Sequence, residues 1–151
     1  MKIIIIGGIL ATALLLGGVW WSGSSTSKNS DVVGRNGLHW HPELLIFVKG
    51  VKQEIPANIG VGPQYAGAPG YDPKMKMAAV HTHGDLPLIH LEFMSGVVHK
   101  NDVELGKFFK IWGKDIHSFG NAIKMTVNGK ENVEYEQYIM RDGDKIELHY
   151  D

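Results

Sequence analysis

Two H-x-H pairs stand out in this chain: His39/His41 in "HWHPE" and His81/His83 in "HTHGD". A further histidine, His90, follows in "IHLE". On a β-strand, residues i and i+2 project from one face about 6.5–7 Å apart at Cα, a spacing that lets two imidazoles share an ion. A turn containing Gly84 and Pro87 separates His83 from His90 and can fold the later histidine back toward the pair. One H-x-H alone carries little information. Two pairs, with a fifth histidine on a strand of matching polarity, make a metal site the best reading of His39, His41, His81, His83 and His90. Glu43 and Glu92 have the parity to join them as ligands, as groups that orient an imidazole, or as a general base. The bland alternative for any single histidine is an ordinary hydrogen-bonded side chain. That reading is kept for His99, His117 and His149, and Asp85 reads as a turn residue.

Imidazole suits zinc, copper, nickel and iron alike. Met75 and Met77 form an M-x-M pair just ahead of His81, and soft thioethers favour Cu(I). Packing in a loop is the alternative for both. The affinity order of divalent ions also favours copper at an undedicated nitrogen site, so copper stands slightly ahead of zinc. There is no cysteine, which excludes disulfides, thiolate sites and cysteine nucleophiles. No P-loop, G-x-S-x-G or H-E-x-x-H pattern is present. Fifteen Lys+Arg against sixteen Asp+Glu give a net charge of -1, so no basic excess points to nucleic acid.

Ile3 to Trp21 is an unbroken run of apolar residues and glycine apart from Thr12, ending in two tryptophans. As a helix it extends roughly 28 Å, close to the bilayer core. Residues 1–21 therefore read as a membrane anchor, with a cleaved signal segment as the alternative. Either places the remainder outside the cytoplasm, at the cell surface or in the periplasm. "SGSSTSKNS" at 22–30 reads as a flexible linker, and 31–151 as one extracytoplasmic domain.

Within that domain, "LHWHPELLIFVKG" alternates as one strand placing His39, His41 and Glu43 on one face. Gly50 marks a hairpin to "VKQEIP". "ANIGVGPQYAGAPGYDPK" is a long Gly/Pro-rich loop, whose Tyr65, Tyr71 and glycines are candidates to line a pocket. "LIHLEF" alternates as a strand. "NDVELGKFFKIWG" predicts a helix with Asn101 as N-cap, Glu104 completing a capping box, and Gly113 as its end. "VNGK" predicts a hairpin, and "VEYEQYIM" and "KIELHY" predict further strands around a "RDGD" turn. The expected fold is α+β: a small, mostly β domain, with a mixed or antiparallel sheet and one crossing helix.

The tail "MTVNGKENVEYEQYIMRDGDKIELHY" resembles the end of β-grasp domains. It ends Tyr150-Asp151 rather than Gly-Gly, so sulfur-carrier activity is not implied. The whole pattern "HWHPEL…IPANIG…HTHGD…IHLEF…LGKFFKIWG…VNGK…DGD" resembles a family of small extracytoplasmic, His-rich, membrane-anchored proteins of archaea and bacteria, mostly uncharacterised. Some members carry cysteines near the histidines; this chain has none. The resemblance implies a shared fold and a metal role, without a set reaction. Three functions are in play. The first is a membrane-tethered protein that captures, buffers or delivers copper or zinc. The second is a metal-dependent enzyme with an open water position and Glu92 or Glu43 as general base. The third is a cell-surface assembly or adhesion domain with a merely structural metal.

Overall fold

In a computed structural model, residues 31–151 are described; the expected anchor over 1–21 and linker over 22–30 lie outside them. Among the described residues no helix is long and apolar enough to cross a membrane. The strands are β1 (Val32–Gly34), β2 (Leu38–Trp40), β3 (Glu43–Val48), β4 (Val51–Gln53), β5 (Val80–His81), β6 (His90–Phe93), β7 (Val98–His99), β8 (Ile123–Val127), β9 (Lys130–Asn132) and β10 (Lys145–Tyr150). One α-helix, α1, runs Leu105–Trp112 among the described residues.

Alternation builds the larger sheet. Leu44 and Ile46 of β3 and Ile146, Leu148 and Tyr150 of β10 point inward and are buried, while their neighbours stay wetter. β10 lies between β3, which it pairs in parallel, and β8, which it pairs antiparallel. The order is β4-β3-β10-β8-β9. Two tight hairpins close its edges. Lys49-Gly50 and Asn128-Gly129 each place two successive residues at positive φ (50°, 78° and 52°, 77°), the backbone that two-residue hairpins favour. A second sheet has the order β2-β6-β5, and β1 pairs with β7 separately. This is a small, mostly β domain with one helix and mixed and antiparallel sheets, as the alternating pattern implies.

Helix α1 buries Leu105, Phe108, Phe109 and Ile111 in the same core as both sheets. Gly113 ends it in the left-handed region (φ 74°), where an L side chain is strained. The start differs from expectation. Lys100–Asp102 forms a 3-10 turn, Glu104 rather than Asn101 is the N-cap, and the capping box belongs to His99 and Asp102 one turn earlier. Asp102 Oδ2 accepts the His99 N–H at 2.9 Å, which competes with continuation of the helix.

Two strand expectations also fail. "LHWHPELLIFV" is not one strand: it breaks at His41-Pro42, sending β2 to one sheet and β3 to the other. Pro42 has no N–H for a ladder, so the chain changes sheets there. "VEYEQYIM" is no strand either; Tyr135–Gln137 forms a 3-10 turn, and only Ile139 bridges a neighbour, Glu104. The long loop after β4 is folded back on itself, with Met77 bridging both Val61 and Asp72.

Candidate metal centre

The small sheet turns the histidine spacing into a surface. Opposed residues of an antiparallel pair share a face, with Cβ atoms about 4.5–5.5 Å apart. His81 opposes His90, and His39 opposes Glu92. On β6, His90 and Glu92 share parity, so His39, His81, His90 and Glu92 all project from one side. The other side carries Val80, Leu91 and Trp40, in register with one another. Val80 and Leu91 are fully buried in the main core. Burying such side chains contributes about 1.5–3 kcal/mol each, and the sheet is held by its back while its front stays polar. His41 and His83 extend the face from just beyond the ends of β2 and β5.

The five imidazoles form one contiguous group. Ring centroids lie 4.6 Å apart for His39–His41, 4.8 Å for His41–His90, 4.9 Å for His83–His90, 5.3 Å for His81–His90 and 4.7 Å for His81–His83. His39, His41 and His90 each offer a ring nitrogen, and these atoms lie within 4.8 Å of one another. His81 and His83 make a second, tighter pair, with Nε2 atoms 3.1 Å apart. Two imidazoles on one tetrahedral zinc at 2.0–2.1 Å have nitrogens about 3.3 Å apart, so this pair is already near ligand spacing.

The protons are placed to leave lone pairs. His81 Nδ1–H donates to the Ala78 carbonyl at 2.8 Å, which makes Nε2 the lone-pair nitrogen. Burial lowers the His81 pKa to about 4, against the raising effect of the Ala78 hydrogen bond. The ring is therefore neutral at neutral pH, the form a metal needs. His90 Nε2–H donates to both oxygens of Asp85 at 3.1 Å, leaving Nδ1 with the lone pair. That hydrogen bond holds the Asp85 carboxyl below its usual range. A carboxylate behind an imidazole is a common way to orient a metal ligand and raise its basicity.

Glu92 stands between the two nitrogen sets. Its Oε1 is 2.8 Å from His39 Nε2 and its Oε2 is 3.8 Å from His81 Nε2. Glu43, by contrast, opens β3 in register with Lys145, and its N–H donates to the Asp144 carbonyl. The parity that linked Glu43 to His39 and His41 is lost where the strand breaks at Pro42.

Three residues of the site were not singled out by their chemistry in the sequence. Asp85 is one. Asp142, from the "RDGD" turn, accepts the His41 backbone N–H at 2.9 Å across 101 residues of chain. Thr82, between the paired histidines, is fully buried; it donates to the Pro56 carbonyl (3.0 Å) and accepts the Ile59 N–H (3.1 Å). Only the H-x-H alternation hinted at that, since the middle residue must face the opposite way.

Beside the centre lies a cavity of about 550 Å³. Its walls include His81, Glu92, Met75, Met77, Met94 and Tyr71. Of the loop residues expected at a pocket, Tyr71 and Gly70 line it, whereas Tyr65 packs against the core. Exposure grades across the site: the His81 side chain is 0 % exposed and that of His39 is 61 %. His99 pairs with Asp31, and His149 stacks on Phe47. His117 groups with Asp115 and Glu136 on exposed surface, where the Asp115 carboxylate accepts the His117 N–H. Compared with protein families, curated proteins and solved structures, the chain matches none.

Proposed function

We propose that this chain is a membrane-tethered, extracytoplasmic protein that binds transition-metal ions at the His39, His41, His81, His83 and His90 cluster, and captures, buffers or delivers them. The observation that carries the reading is the convergence of imidazoles from three backbone segments, with ring nitrogens of His39, His41 and His90 within 4.8 Å and those of His81 and His83 3.1 Å apart. Five imidazoles brought together around the buried His81 offer a concentration of nitrogen donors suited to transition-metal ions. Copper is favoured over zinc because Met75, Met77 and Met94 line the cavity that His81 also lines. The placement at the membrane rests on the apolar run of residues 3–21 and on the family resemblance of the histidine framework. The C-terminal part fits a β-grasp-like reading, because the helix lies between the two hairpins in sequence, after the inserted strands β5, β6 and β7, and the last strand lies between β3 and β8.

A second reading, a metal-dependent enzyme, draws support from the same cavity. It reaches both His81 and Glu92, so a substrate could meet an ion beside a carboxylate base.

The test is a competition titration of tag-free chain against a chromophoric copper or zinc chelator. His90 touches both nitrogen sets, so His90→Ala is expected to weaken uptake at least tenfold while circular dichroism stays unchanged. No uptake by the wild-type chain, or equal uptake by the folded variant, contradicts the proposal.

A further inference from the structure

We infer that the centre holds two metal ions, spanned by Glu92. This rests on the metal-binding reading and goes beyond it in nuclearity. Five imidazoles and a carboxylate offer six donors, more than the four of a tetrahedral shell. Among the described residues, the mutually close ligand atoms of His39, His41 and His90 do not take in His81 or His83. His39, His41 and His90 form one group, and the His81/His83 pair at 3.1 Å forms another. His90 adjoins both, with ring centroids 4.8 Å from His41 and 4.9 Å from His83.

Glu92 supplies the link. Its two oxygens face different groups, Oε1 toward His39 at 2.8 Å and Oε2 toward His81 at 3.8 Å. A carboxylate in that position bridges ions about 3.5–4 Å apart, the separation usual in two-metal sites. The register explains why: Glu92 opposes His39 on β2, while His90, two residues earlier on β6, opposes His81 on β5. The central strand of the sheet thus serves one nitrogen group on each side. The cavity wall formed by His81 and Glu92 then gives small molecules access to one ion of the pair.

The test uses the full chain in detergent, with copper(II) as the probe. Equilibrium dialysis followed by elemental analysis is expected to saturate at two coppers per chain. The electron paramagnetic resonance signal should account for much less than the copper bound, because a carboxylate-bridged pair couples. His39→Ala/His41→Ala and His81→Ala/His83→Ala should each retain one copper with a full-intensity signal. Glu92→Gln should restore the signal lost in the wild type. Saturation at one copper, abolished by either double substitution, overturns the inference and leaves the metal-binding reading intact. Two coppers with full signal intensity overturn the bridging role. No copper in the wild type overturns both readings.

Discussion

Thr82 shows how much of the site depends on a side chain that faces away from it. Its hydroxyl ties the 81–83 backbone to Pro56 and Ile59. Thr82→Val keeps the shape and removes both hydrogen bonds, leaving the buried Ile59 N–H without its acceptor and the Pro56 carbonyl without its donor. It should destabilise the chain by about 1–3 kcal/mol in urea unfolding, and weaken metal uptake, because the segment carrying His81 and His83 is then held to Asn58 and Ile59 by the Thr82 backbone bonds alone. His81 itself makes the metal-free protein acid-sensitive. Folded, it stays neutral down to about pH 4; unfolded, it takes up a proton near 6.5. Between those values the unfolded chain binds the extra proton, so stability falls as pH falls through this window, by roughly 3 kcal/mol in all, and the loss levels off below it. Denaturation curves of metal-stripped protein from pH 7 to 4 measure this, and His81→Gln should flatten them. Tyr138 works in the opposite direction. Burial, together with its hydrogen bond to Asp144, raises its pKa well above the usual tyrosine value. The folded state retains the proton that the unfolded chain loses above about pH 10, so stability declines as pH rises beyond that point.

At the scale of elements, close approach of backbones holds the histidine strands in place. Gly60 has φ +78°, and a Cβ there would lie 2.7 Å from the Val80 carbonyl oxygen and 3.0 Å from the His81 Cβ. Gly50 has the same φ with nothing within 4 Å. Gly60→Ala should therefore cost distinctly more stability than Gly50→Ala, whose strain alone is of order 1 kcal/mol. It should also lower metal affinity, which Gly50→Ala should leave alone; melting curves and chelator competition on both variants check this. These elements were unequally legible in sequence. Lys49-Gly50 and Asn128-Gly129 are local turn chemistry, and "LIHLEF" alternates, so hairpins and β6 could be read directly. The helix stripe Leu105, Phe108 and Phe109 was equally plain, but its start was not, because His99 and Asp102 form their own capped turn. The break at Pro42 was signalled by the missing N–H, yet alternation ran straight through it and carried Glu43 along. Which sheet a strand joins is a tertiary matter that spacing does not encode.

Across the whole domain, the carboxylates of the "RDGD" turn fix the turns beside β8 and β10 and tie His41, at the end of β2, to them. Asp144 is buried and accepts from the Tyr138 hydroxyl (2.6 Å), the Arg141 N–H (2.8 Å) and the Asn128 side chain (3.0 Å). Two residues earlier, Asp142 accepts the His41 N–H. Contacts between residues this far apart in the chain leave no periodic trace, which is why Asp142 was not legible and the H-x-H pairs were. Asp144→Ala leaves the buried Tyr138 hydroxyl without its acceptor and removes two part-buried hydrogen bonds, so it should destabilise the domain by about 1–3 kcal/mol, read by urea unfolding. An ion bound at the proposed centre would stabilise the folded state, so on that proposal the thermal midpoint should climb with free copper or zinc and fall back on chelation. The most direct measurement is anomalous diffraction at the zinc or copper edge from crystals equilibrated with the ion. Strong peaks are expected on the histidine face of the β2-β6-β5 sheet, within about 2.0–2.1 Å of imidazole nitrogens of His81 and His83 and of the His39, His41 and His90 group. Peaks confined to other surfaces, with His81 still bonded to His83, His39 to Glu92 and His90 to Asp85, would contradict the metal-centre reading.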